Sequence, residues 1–289
     1  MPAEPPIDLP GHLFEAYELL ATANAAGTPA VPIAGGTDVM VQITGELREP
    51  PLRMLDLSRV EALRGIAIED GRLVLGARTT YTEIRRSALC REHLPVLVEA
   101  AATIGASQIQ NRGTIGGNLA NASPAGDTLP ILLATDATIL VGGQRGEREI
   151  PAIEFFTGYR ETALAPDELI LQVGFPLPKG REVRFRKVGT RRAQAISKVV
   201  VALAWQEGAG GTWRDVRLAL GSVAATPIRA RGTEGILEGA LPTPEVADRA
   251  AETLAGELSP IDDVRSTAEY RRVVAARVVH RLLREAGGW

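Results

Sequence analysis

Residues 111–127 read NRGTIGGNLANASPAGD, a stretch made mostly of glycine and small side chains. Its only charged residues are Arg112 and Asp127. Glycine has no Cβ to shield its N–H group and tolerates positive φ, so such a stretch exposes the backbone. We therefore predict that residues 114–118 form a turn whose amides, hydroxyl and side-chain amide can approach a bound anion.

A second loop of the same kind occurs earlier in the chain. Residues 34–38 read AGGTD, after an apolar run at 30–33 and before another at 39–43. This order predicts a strand, a glycine turn and a helix, and two such loops could clamp a pyrophosphate from both sides. Neither G-x-G-x-x-G nor G-x-x-x-x-G-K-[ST] is present, which disfavours a Rossmann dinucleotide site and a P-loop.

Hydrophobic periodicity organises the rest of the chain into two units. An amphipathic helix is predicted at 12–26, a hairpin turning at Asp70-Gly71, helices at 80–89 and 94–104, and a strand at 169–175 that ends before Pro176-Leu177-Pro178. We place a domain boundary at this proline pair. Beyond it, the pattern predicts strands at 183–188, 197–206 and 216–223 and helices at 244–254 and 268–284, typical of an α+β unit.

Composition excludes several functions. A net charge of −3 gives no general attraction to nucleic acid. Cys90 is the only cysteine, so the chain cannot build an iron–sulfur cluster, and its three histidines are far apart, so we expect no metal site. No stretch approaches the length of a membrane span, and the acidic, proline-rich first ten residues do not resemble a secretion signal, so we expect a cytoplasmic protein.

Residues 34–38, 111–118 and 122–127 together resemble the FAD-binding subunit of molybdenum hydroxylases, the family of xanthine dehydrogenase and carbon monoxide dehydrogenase. The stretch from Lys187 through Arg192 to Lys198 and the chain length are also similar to that family. The resemblance implies an α+β protein: a PCMH-type (vanillyl-alcohol-oxidase-like) FAD-binding domain of two α/β subdomains at 1–176, then a C-terminal α+β domain of the CO dehydrogenase flavoprotein type at 177–289.

The resemblance also assigns cofactor contacts and no catalytic side chain. Asp127 would accept hydrogen bonds from ribose hydroxyls, Ile170 would pack by the flavin ring, and Lys187 would place a cation near the cofactor. The pyrophosphate would be lined by Ile33, Ala34, Gly35, Gly36 and Thr37, and the diphosphate and ribityl parts held by Thr114, Gly117, Asn118 and Asn121.

The function implied is electron transfer through FAD, from a 2Fe–2S centre to NAD+, oxygen or another acceptor. The partners would be a molybdenum-cofactor large subunit and a 2Fe–2S small subunit on separate chains, and the organic substrate would react on the large one. Two alternatives remain open at the level of sequence. One is a stand-alone flavin oxidoreductase of the same fold, and the other is a non-catalytic structural subunit whose flavin site has decayed.

Overall fold

The computed structural model describes residues 5–46, 49–191 and 194–289, so Arg192 lies outside the described residues. Its first layer is a parallel sheet in the order β1-β3-β2. The elements are β1 (Ile7–Asp8), α1 (Leu13–Ala25), β2 (Val31–Ile33), α2 (Val39–Thr44) and β3 (Met54–Asp56). The predicted helix at 12–26 is confirmed as α1, which begins where the His12 side chain accepts a hydrogen bond from the Glu15 amide.

The second layer is a five-stranded antiparallel sheet, and helices fill the connections between its strands. The sheet order is β4-β5-β10-β6-β7. Its strands and the small β8–β9 pair are β4 (Ile66–Glu69), β5 (Arg72–Gly76), β6 (Thr138–Gly143), β7 (Gly146–Pro151), β8 (Phe156–Gly158), β9 (Glu161–Thr162) and β10 (Leu169–Pro176). The predicted turn at Asp70-Gly71 is confirmed, because both residues have positive φ, as a tight hairpin requires.

The helices of this unit are α3 (Tyr81–Arg86), α4 (Ala88–His93), α5 (Pro95–Thr103), α6 (Ser107–Arg112), α7 (Ile115–Asn121), α8 (Leu129–Ala134) and α9 (Ala152–Phe155). The prediction of two helices at 80–89 and 94–104 is therefore wrong in count. The helix is interrupted at Ser87, whose backbone is extended and whose side chain accepts a hydrogen bond from the Cys90 amide. A new helix, α4, starts there.

The third layer is an antiparallel sheet in the order β11-β12-β13-β14, followed by helices. These elements are β11 (Arg181–Val188), β12 (Val199–Glu207), β13 (Trp213–Gly221), β14 (Ile228–Arg229), α10 (Arg231–Leu237), α11 (Pro244–Glu257) and α12 (Ala268–Gly287). The predicted strands and both predicted helices are present. Helix α10 was not predicted.

Strand β12 is apolar from Val199 to Trp205 because both of its faces are buried. One face packs on α12, in a core that also contains residues of α11, and the other faces the core of the preceding unit. The residues of the first face are Val199, Val201, Leu203 and Trp205, and those of the second are Val200, Ala202 and Ala204. The third layer thus closes against the second layer through an apolar surface.

The described residues contain no helix that is both long enough and apolar enough to cross a membrane.

Candidate functional site

The first glycine loop leaves the end of β2 and enters α2 at Val39. Gly36 has φ of +73°, a conformation that favours glycine. Among the residues that the structure describes, none accepts a hydrogen bond from the amides of residues 34–37. The loop is partly exposed. It therefore presents consecutive N–H donors of the kind that bind anions.

The second glycine loop uses its amides differently. Thr114 caps α7: its Oγ1 accepts from the Gly117 amide at 3.0 Å and its carbonyl accepts from the Asn118 amide at 3.0 Å. The Gly116 amide donates to Ala77 O at 2.8 Å, and the Ile115 amide donates to Thr79 O. For residues 115–118, the expectation that the amides are free to approach an anion is therefore wrong, because the Thr114 cap and the segment that follows β5 already accept their hydrogen bonds.

Glycine is nonetheless required in the second loop for packing. A Cβ on Gly116 would lie 2.7 Å from both the Cβ and the carbonyl oxygen of Ala77. A Cβ on Gly117 would meet only Thr114 Oγ1, at 3.0 Å, and otherwise open space. Gly116 thus holds α7 against the sheet, and Gly117 keeps side-chain bulk out of the adjoining space.

The first loop is in direct contact with residues on either side of the second loop. A Cβ on Gly35 would lie 1.9 Å from the carbonyl oxygen of Arg112, and Arg112 Nε donates to Gly35 O at 3.4 Å. Asn121, at the end of α7, donates from Nδ2 to Asp38 Oδ1 at 2.9 Å and accepts from Arg160 at 2.6 Å. The fold therefore assembles both loops at one place, as the sequence predicted.

Asp127 lies in a buried polar cluster with two residues of the third layer. Its Oδ2 is 2.6 Å from Lys187 Nζ, and its Oδ1 accepts a hydrogen bond from Ser197 Oγ. Lys187 also donates to Thr103 O at 3.1 Å. The side chains of Lys187 and Asp127 are 8% and 10% exposed. Burial raises the pKa of Asp127, and the charge of Lys187 and the two hydrogen bonds only partly offset it.

The predicted site residues fall into three groups: the residues of the two loops, the Lys187–Asp127 pair, and Ile170. Within the first group, Asn118 joins the second loop to α8, because its Oδ1 accepts a hydrogen bond from Thr128 Oγ1 at 2.5 Å. Lys187 and Asp127 contact one another. Ile170 lies in the main hydrophobic core at 7% exposure. The loop residues Ile33, Ala34, Gly35, Gly36, Thr37, Thr114, Gly117, Asn118 and Asn121 gather around the contact between the two loops.

Sequence reasoning did not single out the partners of these residues. Ser197 holds Asp127, and Arg160 holds Asn121, although the chain separates the two members of each pair by 70 and 39 residues. No local pattern marks such partners, because only the tertiary fold brings them together.

Comparison with known proteins identifies the family of this chain. A family model for the FAD binding domain in molybdopterin dehydrogenase matches residues 8–178. The chain belongs to this FAD-binding family. A second model, the CO dehydrogenase flavoprotein C-terminal domain, matches residues 184–286 of the flavoprotein.

Individual relatives match over nearly the whole flavoprotein chain. It is 30% identical to the carbon monoxide dehydrogenase medium chain of Hydrogenophaga pseudoflava, over 93% of each chain. It is 31% identical to the xanthine dehydrogenase FAD-binding subunit of Escherichia coli O157:H7, over 96% of this chain and 95% of the relative. A solved carbon monoxide dehydrogenase from Hydrogenophaga pseudoflava, lacking the Mo-pyranopterin moiety, superimposes with a TM-score of 0.91 at 30% identity, covering 97% and 96% of the two chains.

These matches confirm the predicted family, the α+β fold, FAD as cofactor and the assignment to an oxidoreductase subunit. The residues present also fit the cofactor on physical grounds. The first loop offers unpaired N–H groups to a diphosphate, and the Gly35–Arg112 contact leaves no room there for a side chain. Asp127 offers a carboxylate, whose acceptor oxygens suit hydroxyl donors.

Proposed function

We propose that this flavoprotein subunit accepts electrons from a 2Fe–2S centre on a separate chain and delivers them to NAD+, oxygen or another acceptor. Its proposed partners are a 2Fe–2S small subunit and a molybdenum-cofactor large subunit, on which the organic substrate reacts. The observation that carries the proposal is the contact between the two glycine loops, with the amides of residues 34–37 left unpaired by the described chain.

In this proposal different residues bind different parts of the cofactor. The amides of residues 34–37 bind the pyrophosphate, with Thr114, Gly117, Asn118 and Asn121 bordering the diphosphate and ribityl parts. Asp127 accepts hydrogen bonds from hydroxyl groups. Lys187 holds the Asp127 carboxylate in place, and Ile170 closes the apolar side of the site. FAD supplies redox chemistry by one- and two-electron steps when it is bound.

Separate partner chains are proposed because this chain offers no ligands for a cluster. Cys90 is its single cysteine and is buried. Within the described ranges, no three His, Cys, Asp or Glu side chains lie together as metal ligands. Relatives named as medium chains or medium subunits, of carbon monoxide dehydrogenase and of nicotine 6-hydroxylase, support a place in a larger assembly.

We also propose the division into a domain at 1–176 and a domain at 177–289. The end of β10 at Pro176 and the start of β11 at Arg181 support this division, as do the two matched ranges. The first domain would carry the glycine loops and Asp127, and the second would contribute Lys187 from β11. The proposed cofactor site then lies where the two domains meet.

Spectroscopy of the purified chain and its complex tests the proposed function. The isolated chain should show flavin absorbance, release FAD on acid precipitation and oxidise no organic substrate. Co-expression with a cysteine-rich small subunit and a molybdenum large subunit should give a complex in which substrate reduces the flavin. Reduction of the isolated chain by NADH would identify NAD+ as an acceptor.

Each alternative predicts a different result. Substrate turnover by the isolated chain would favour the stand-alone oxidoreductase. A chain that binds no FAD even after reconstitution would favour the structural subunit. Flavin that stays with the acid precipitate would contradict noncovalent binding, which we expect because neither glycine loop contains histidine or cysteine.

A further inference from the structure

Ser197 is a buried hydroxyl that lies between the proposed cofactor site and the third sheet. Its side chain donates to Asp127 Oδ1, and the residue is 1% exposed. Its carbonyl accepts a hydrogen bond from Ser222 Oγ at 3.0 Å. The next residue, Lys198, donates its amide to Val188 O at 2.8 Å, which ties the segment to β11. The hydroxyl is therefore held in position by the backbone around it.

The hydrogen bonds leave part of the Asp127 carboxylate free. An ionised carboxylate has about four acceptor positions on its two oxygens. Lys187 uses one position on Oδ2, and Ser197 uses one on Oδ1. Each oxygen thus keeps one acceptor position, and the two donors, one on each oxygen, fix the rotation of the carboxylate about its Cβ–Cγ bond.

We propose that Ser197 is a positioning residue for FAD: it orients the Asp127 carboxylate so that the remaining acceptor positions receive hydroxyl groups of the cofactor. This inference rests on the proposed function, and in particular on the role given there to Asp127. Because the serine hydroxyl is neutral, it acts through orientation and hydrogen bonding, whereas Lys187 also supplies charge.

The groups around Asp127 influence its pKa, so the role of Ser197 can be tested by varying the pH. Lys187 reaches the carboxylate from β11. The Tyr81 phenol, on α3, also interacts electrostatically with Asp127: burial, together with the charges of Asp127 and Asp38, raises the pKa of this phenol. The hydrogen bond from Ser197 holds the pKa of Asp127 below the value that burial alone would give. Loss of this hydroxyl should therefore let Asp127 take up a proton at higher pH.

The experiment compares Ser197→Ala with Thr135→Val and Ser197→Thr. Thr135 is also buried and loses its hydroxyl, which donates to the Ile131 carbonyl at 2.7 Å and, among the described residues, makes no hydrogen bond to Ser197 or Asp127. The FAD dissociation constant of the apoprotein is measured by flavin fluorescence across the acid range, together with urea unfolding of each apoprotein. Ser197→Ala should weaken FAD binding about five- to tenfold, the usual effect of one lost hydrogen bond, and should move the pH midpoint of FAD release upward.

The matched variants separate positioning from general stability. Thr135→Val should lower apoprotein stability and leave the pH midpoint unchanged, and Ser197→Thr should retain the wild-type midpoint. The inference is overturned if Ser197→Ala keeps wild-type affinity and midpoint, or if Thr135→Val changes both equally. If wild-type protein binds no FAD, or if Asp127→Asn binds it as wild type does, it is the proposed function or its assignment of Asp127 that fails.

Discussion

Gly35 lies directly against the carbonyl of Arg112, so that a Cβ on Gly35 would stand 1.9 Å from that oxygen. Gly35 belongs to the first glycine loop, which follows β2, and Arg112 is the last residue of α6, directly before the second glycine loop. No side chain fits between these loops. Their contact is therefore a property of the backbone, and it places the unpaired amides of residues 34–37 beside the N-terminus of α7.

Gly35→Ala should separate the two loops. The added methyl group overlaps a backbone oxygen, which cannot rotate away as a side chain would, and overpacking of this kind costs about 1–3 kcal/mol. We expect lower stability in urea unfolding and a larger loss of FAD affinity. Gly235→Ala is the control, because a Cβ at this position in α10 meets nothing within 4 Å. Equal effects of the two substitutions on FAD would contradict the proposed loop contact.

Thr114→Ala should weaken the start of α7. The Thr114 hydroxyl accepts from the Gly117 amide, and loss of such a cap costs about 1 kcal/mol of folding free energy. Thr114→Ser should retain the cap and the stability. Thr243→Ala removes the corresponding cap of α11, far along the chain, and should lower stability to a similar extent while FAD affinity stays at the wild-type value. FAD titration and urea unfolding of the four proteins provide the comparison.

Local turn chemistry made much of the fold predictable. Asp70-Gly71 specifies a hairpin by itself, and the uninterrupted apolar run of β12 specifies a strand buried on both faces. Helix α10 could not be predicted in this way, since Gly232 and Gly235 interrupt its sequence. Its first amides are capped by Glu257: the Gly232 and Thr233 amides donate to that carboxylate at 2.7 and 2.9 Å. This cap exists only in the folded chain.

In the candidate site, too, some features are visible in the local sequence and others arise only in the folded chain. Both glycine loops are visible in the sequence because glycine has a local conformational meaning. Their use of hydrogen bonds is not visible, since the Ile115 and Gly116 amides of the second loop donate to Thr79 and Ala77, residues that follow the hairpin. Lys187 and Asp127 were each assigned to the cofactor, but a separation of 60 residues hid their direct contact. The sequence thus indicated which loops come together better than it described the hydrogen-bond partners of their residues.

Lys187→Met should destabilise the apoprotein strongly. It leaves the Asp127 carboxylate buried without its cation, and breaking a buried ion pair in this way costs about 3–5 kcal/mol. Arg184→Met removes the cation of a pair whose side chains are about half exposed, and should change stability by less than about 1 kcal/mol. The double variant Lys187→Met/Asp127→Asn should recover part of the loss. Urea unfolding that gives Lys187→Met and Arg184→Met the same stability would contradict burial of the pair.

Asp127 should also give the apoprotein a distinctive dependence on pH. Burial raises the pKa of this carboxyl in the folded chain above its ordinary value of 3.8, so the folded state binds the proton more tightly than the unfolded state. The contribution of Asp127 to stability is then full below 3.8 and falls as the pH rises through the folded pKa. Asp127→Asn removes this term, so its free energy of unfolding relative to wild type should rise with pH across that window and become constant above it. Urea unfolding of both proteins at a series of pH values measures the difference, and a difference that stays constant or falls with pH would show that the Lys187 charge outweighs burial at this carboxyl.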